Sequence, residues 1–193
     1  MARQRVPQKA SSMAHLLNSL GARDIASHSY PYNNLKTGRE TGPTVVTGGN
    51  GVEVYDEDGK VYIEAPAGLW CTALGFYIER LVKAESDATA ELAFYHGFGV
   101  KRHPAAIGLA EKLLEVAPVP MSKVFFANSD SETNDMAIKI IWYLNNALGR
   151  PEKKKITSRQ KAYHGITIAT TTMTGLPKNH IDFDLPIERV LHW

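Results

Sequence analysis

Hydrophobic and polar residues alternate with a period of two from Gly51 to Tyr55 and again from Lys60 to Glu64, on either side of Asp56-Glu-Asp-Gly59. Period two sends successive side chains to opposite faces of an extended chain. A polar turn closed by glycine lets that chain reverse, so the segment predicts a β-hairpin. Over 104–117 the period lengthens to that of a helix. Ile107, Ala110, Leu113, Leu114 and Ala117 fall on one stripe, Pro104 suits the first turn and Pro118 ends it. Lys123-Val-Phe-Phe-Ala127 then predicts a short buried strand, and Asn128-Ser-Asp-Ser-Glu132 a polar turn. Residues 133–148 predict an amphipathic helix ending at Gly149, with Met136, Ile140, Tyr143 and Leu144 toward the core and Ala137 and Ile141 beside them. Residues 155–159 predict another strand, running into Tyr163-His-Gly165. Strands alternating with helices in this way imply an α/β layer with a parallel sheet. Ahead of the hairpin the pattern is weaker. Residues 1–27 read as a polar arm with a short amphipathic stretch at 13–20, and Pro31, Asn33, Asn34, Gly38, Gly42 and Pro43 mark an irregular segment.

A polar turn between the carboxyl end of a strand and the start of a helix is a natural anion site, because the first helical N–H groups lack partners and the helix dipole favours negative charge there. Asn128, Ser129, Ser131 and Thr133 add side-chain donors suited to a phosphate. The same residues have a second reading: Ser129-x-x-Glu132 is a capping box that closes the helix with no ligand. Neither G-x-x-x-x-G-K-[ST] nor G-x-G-x-x-G occurs, which removes the common nucleotide-binding loops. The acidic hairpin turn is not an EF-hand loop, since the twelfth position counted from Asp56 is Ala67 where a glutamate is needed.

Composition narrows the classes further. Of 193 residues 44% are hydrophobic and 22% charged, ordinary globular values, and the net charge of +2 gives no reason to expect nucleic acid or an anionic membrane as partner. No apolar run approaches the ~20 residues of a membrane span. One cysteine, Cys71, cannot form an internal disulfide, which favours a reducing compartment and a cytoplasmic location. The first 23 residues lack Asp and Glu and carry Arg3, Arg5, Lys9 and Arg23, which we read as a cytoplasmic arm rather than a transit peptide. No residue group suggests a metal site.

Eight motifs occur in a telling order: Gly68-Leu-Trp-Cys71, Phe94-Tyr-His-Gly-Phe98, His103-Pro104, Val124 to Asp135, Gly149-Arg-Pro-Glu-Lys-Lys154, Tyr163-His-Gly165, Gly175-Leu-Pro177 and Asp184-Leu-Pro186. Together they resemble the class III aminotransferases of the omega-transaminase group over about residues 30 to 193. The resemblance implies a fold type I (aspartate aminotransferase-like) α/β architecture, with a mixed, mostly parallel sheet and helices on both faces, present here in part. It implies residues 1–64 as arm and hairpin of the small domain and 65–193 as the first part of the large cofactor domain. It implies pyridoxal 5′-phosphate (PLP) as cofactor, an amine or ω-amino acid as donor, a pyruvate-like α-keto acid as acceptor, and a homodimer. Asp130 and Ser131 match the pair that holds the cofactor phosphate, and Tyr163 the aromatic stacked on the pyridine ring. Trp70 matches a wall of the substrate pocket, Tyr32 an aromatic near its smaller side, and Phe98 a residue reaching the other subunit's site.

The chain departs from the family in three places. The family's cofactor-bearing lysine and the aspartate that holds the pyridine nitrogen lie later than Trp193, and no lysine here sits in a matching context. No catalytic residue is therefore assigned, and the chain alone is expected to be inactive; a non-catalytic remnant or interaction module that keeps the dimer surface is the alternative. Asp130 stands where glycine is usual, placing a carboxylate beside the expected phosphate and weakening its hold. Phe76-Tyr77 replaces a stretch where glycines are more usual.

Overall fold

The computed structural model describes residues 19–193, which part between His96 and Gly97 into two compact units. The predicted amphipathic stretch at 13–20 lies, up to residue 18, outside the described residues. A helix follows it, α1 (Leu20–Ser27), started by the Ser19 hydroxyl, which accepts the Ala22 N–H. In α2 (Leu35–Thr41) Asn34 plays the same part, its side chain accepting from Lys36 and Thr37 N–H. The irregular segment thus contains a short helix whose only sequence signal was the capping asparagine.

The first unit is built on the hairpin. Strands β2 (Glu53–Asp56) and β3 (Val61–Ile63) pair antiparallel with Val54 opposite Tyr62, and β1 (Val46–Asn50) adds on the other side of β2 with a bulge between Val46 and Gly48. The turn holds itself: the Asp56 carboxylate accepts the Asp58 and Lys60 N–H groups at 3.1 and 2.8 Å and the Tyr62 hydroxyl at 2.7 Å, while Gly59 takes φ 77°. Val54 is the buried apolar residue of this sheet. Beyond it, α3 (Ala67–Trp70) is a left-handed single turn, and α4 (Glu79–Leu92) is a helix that the pattern did not predict.

The second unit carries α5 (Pro104–Val116) and α6 (Asp130–Ala147), followed by β4 (Ile156–Ser158), α7 (Ile168–Met173) and β5 (Val190–His192). Strands β4 and β5 are parallel, with Thr157 opposite Leu191, and α7 packs on both. Three expectations need correction. Residues 123–127 form no strand and pair with none among the described residues; Phe125 and Phe126 are exposed. Helix α6 starts at Asp130 rather than 133, since the Ser129 hydroxyl caps it one turn earlier. It also buries the opposite face from the one expected: Ser131 and Ile138 are buried, with Asn134, Asp135 and Trp142 half-buried, while Ile140, Tyr143 and Leu144 are exposed. The polar side of α6 docks on the layer of α7, so what α6 positions is its first turn.

The interior of that layer is polar. Thr170, Thr172 and Thr174 are fully buried, and the Ser158 side chain is buried beside them. Their hydroxyls are bonded: Thr172 donates to the Ile168 carbonyl at 2.8 Å, Thr174 to the Thr170 and Gly165 carbonyls, and Ser158 to the Met173 carbonyl. A buried hydroxyl costs little once bonded, and each bond fixes a local direction. Here those directions fix the segment 163–166.

Candidate functional site

The first turn of α6 and the segment 163–166 meet. The Ser131 hydroxyl accepts the Ile166 N–H at 3.0 Å, and the Asn134 side-chain amide donates to the His164 carbonyl at 3.0 Å. From the other side the Thr174 hydroxyl receives the His164 N–H at 2.9 Å. Gly165, at φ 118°, lets the segments touch: a Cβ there would stand 2.5 Å from Ser131 Oγ and 2.6 Å from Thr170 Oγ1. Only glycine fits that backbone and that gap.

The helix start is partly capped and partly open. Ser129 Oγ accepts the Glu132 N–H at 3.1 Å, the Thr133 N–H reaches the Ser129 carbonyl, and the Glu132 carboxylate takes the Asn128 N–H at 2.7 Å. The capping box therefore forms with its return bond one residue earlier than the standard pattern. The N–H groups of Asp130 and Ser131 stand in the helix positions that have no intrahelical acceptor, and both point along the dipole axis. Because Ser131 Oγ is already an acceptor for Ile166, its own proton is available to donate. Two backbone donors and the positive end of the helix dipole lie at the start of α6, with the Ser131 hydroxyl on the same turn, and this set of groups suits a phosphate dianion. The two readings of the turn are thus compatible: the cap uses Glu132 and Asn128, and the anion site uses Asp130 and Ser131. The Asp130 side chain turns down the helix, its Oδ1 accepting from Asn134 Nδ2 at 3.3 Å.

Of the residues expected at the site, Asp130, Ser131 and Tyr163 lie together in the second unit. Tyr163 adjoins the bonded His164 and is half exposed. Phe98, in the same unit, is 85% exposed. Tyr32 and Trp70 belong to the first unit and are exposed on it, both at positive φ. Asn134, Thr174 and Gly165 were not singled out for the site. A signal existed for Asn134, which lies one helical turn beyond Asp130 on the same face; Thr174 gave none, because its partners are backbone groups. Among the described residues no cluster of His, Cys, Asp and Glu is arranged to hold a metal, and no helix is long and apolar enough to cross a membrane.

Comparison with known proteins gives the family. The family model for aminotransferase class-III matches residues 36–192. A mitochondrial gamma-aminobutyrate transaminase 1 of Oryza sativa subsp. japonica is 49% identical over 151 residues, 78% of this chain and 29% of that protein. A chloroplastic gamma aminobutyrate transaminase 3 of Solanum lycopersicum is 42% identical over 189 residues, 95% of this chain and 36% of that protein. Among solved structures, the omega transaminase of Pseudomonas jessenii in complex with PMP superposes with a TM-score of 0.88 at 55% identity, over 90% of this chain and 38% of that one. A thermostable variant of an omega transaminase, with a tryptophan replaced by glycine and engineered for the synthesis of bulky amines, matches with the same TM-score at 53% identity, over 90% of this chain and 39% of that one. The chain thus spans about a third of the length of the relatives it matches, at fold type I, with pyridoxal phosphate as the family's cofactor. On the match across residues 36–192 and the identity to these enzymes, the chain belongs to the class III aminotransferases.

Proposed function

We propose that residues 128–131 and 163–166 form the phosphate end of a PLP site in an aminotransferase that moves an amino group from an amine or ω-amino acid to a pyruvate-like α-keto acid. One observation carries the reading: Ser131 Oγ accepts the Ile166 N–H at 3.0 Å, which ties the first turn of α6 to the segment 163–166 and leaves the hydroxyl proton for a further acceptor. That donor set fits a phosphate monoester, and the Asp130 carboxylate is drawn aside by Asn134 rather than across the donors. When bound, PLP supplies the electron sink that lets the substrate's carbon lose its proton. The chain's own residues hold and orient the cofactor. Asp130 and Ser131 grip the phosphate, and Tyr163 offers a ring face to the pyridine, with its backbone fixed through His164. Trp70 and Tyr32 shape the amine pocket, and Phe98 reaches toward the site of a partner subunit in a homodimer. Residues 1–64 belong to the small domain and 65–193 to the large one. The lone Cys71 supports a reducing compartment, and a cytoplasmic location is the reading drawn from it.

Gripping a cofactor is not turnover. The proton shuttle of this chemistry is a lysine, and no lysine of the chain lies in the family's context for it. Residues 1–193, incubated with PLP, an aromatic amine and pyruvate, are expected to form alanine and ketone no faster than free PLP does. Turnover clearly above that background overturns the assignment of the missing proton shuttle. A longer natural polypeptide carrying these residues is expected to bind PLP and to transaminate; absence of both overturns the cofactor reading.

A further inference from the structure

The carboxylate of Asp130 sits on the first residue of α6, where it has two directions open to it. Pointed along the helix axis, it occupies the donors that a phosphate needs, or faces the phosphate with like charge. Two like charges at close range repel, and the more strongly the less water stands between them. Pointed back along the helix, it leaves the donors clear. The structure holds it in the second direction, and one side chain does so. Asn134, one turn on, gives its amide to Asp130 Oδ1 at 3.3 Å and to the His164 carbonyl at 3.0 Å. Both partners are acceptors, so both amide protons are used and the orientation of the amide follows from the chemistry. Asn134 is half-buried against the segment 163–166, which limits its alternatives.

We propose that Asn134 is a positioning residue for the phosphate turn: it restrains the Asp130 carboxylate away from the phosphate donors and ties the turn to the segment that carries Tyr163. The proposal rests on the PLP reading above. It also explains how a turn bearing an acidic residue in place of glycine keeps an open anion site. Asn134 touches neither cofactor nor substrate; it acts through Asp130 and His164.

The test is a double-mutant cycle in the longest natural polypeptide that carries residues 1–193, read by equilibrium binding rather than by activity. The probes are 4′-deoxypyridoxine 5′-phosphate, which lacks the aldehyde and so binds without a lysine, and deoxypyridoxine, which lacks the phosphate as well. Asn134→Ala is expected to weaken the phosphorylated probe about tenfold and the unphosphorylated probe less than twofold. Combined with Asp130→Gly, the same substitution is expected to weaken the phosphorylated probe no more than about twofold, because the carboxylate it restrained is gone. Equal losses in the two backgrounds overturn the proposal, as does an equal loss for both probes. If Asn134→Ala does not fold, Asn134→Ser takes its place in the cycle with the same expectations. A parent protein that binds neither PLP nor the phosphorylated probe overturns the cofactor reading and this proposal with it. Intact parent binding with an additive cycle overturns this proposal alone.

Discussion

At Trp70 the backbone is held at φ 70°, the end of a run in which Ala67, Gly68 and Leu69 are also left-handed. An L-residue with a Cβ loses roughly 1–2 kcal/mol at each such position, and only Gly68 is exempt. The turn persists because its polar groups are engaged. The Gly68 N–H donates to the Glu64 carboxylate at 3.0 Å, the Trp70 N–H to the Pro66 carbonyl at 2.8 Å, and the Thr72 N–H to the Ala67 carbonyl at 2.9 Å. Trp70 itself is 82% exposed, so its ring offsets little of that cost by burial. A strained, exposed aromatic is poorly explained by packing and well explained by a binding wall. Trp70→Gly is therefore expected to do two things in the longest natural polypeptide that carries these residues. It should raise stability by roughly 1 kcal/mol, since glycine adopts φ 70° freely. It should also raise kcat/KM for a bulky amine relative to a small one by about tenfold or more, because the proposed pocket wall is removed. Thermal unfolding and paired substrate kinetics check the two halves. A lowered Tm with an unchanged substrate ratio would show that Trp70 packs in the assembled protein instead of lining the pocket.

Elements whose signals are local were legible, and those that depend on partners were not. The hairpin was readable because alternation and an Asp–Gly turn specify it without help, and α5 because Pro104 and Pro118 bracket its stripe. The second hairpin partner, β1, carries two glycines and no alternation, and it exists because β2 offers it an edge. Helix α4, which begins Glu79-Arg-Leu-Val-Lys-Ala-Glu-Ser, is polar on average, and it lacks a side-chain cap. Residues 123–127 have a strand's composition and no ladder, because composition proposes a strand and a neighbour makes it. The hairpin's self-sufficiency has a pH signature. The Tyr62 hydroxyl first, and the Lys60 and Asp58 N–H groups after it, hold the Asp56 carboxyl below its ordinary value. A depressed carboxyl contributes stability above its unfolded pKa of about 3.9 and loses that contribution as pH falls through the folded value. Exchange protection of the Lys60 amide is thus expected to stay level from pH 7 down to about 4 and to fall only below that. Loss of protection beginning near pH 6 would mean that a different group holds the turn.

Across the molecule the apolar side chains outnumber the places that cover them. Val54 and Ile138 are the buried hydrophobic residues among those described, and the tightest packing belongs to threonines. Helix α6 shows the imbalance on one element. The face bearing Ser131, Asn134 and Ile138 is docked, while the stripe of Ile140, Ile141, Tyr143 and Leu144 stands at least half exposed. A stripe that regular is a face built for contact, and singly scattered exposed leucines would need no such account. Leu81 and Val82 on α4 and Phe94, Phe98 and Val100 after it are exposed as well. Each large side chain gains ~1.5–3 kcal/mol when it leaves water, whereas ordering the backbone costs about 1–2 kcal/mol per residue. With most of the first term unrealised, residues 1–193 alone hold little margin as a monomer. Association through the open stripes recovers part of it. Purified residues 1–193 are therefore expected to sediment above the 21.3 kDa of one chain, or to leave solution as concentration rises, and to unfold without a sharp transition. Replacing Ile140, Tyr143 and Leu144 together by Lys, Glu and Lys should shift the distribution toward the monomer while leaving the docked face, with Ser131 and Asn134, unchanged. A wild-type chain that sediments as a clean monomer and melts cooperatively would instead mean that these faces are stable in water, and that the half-covered helices form a self-sufficient module.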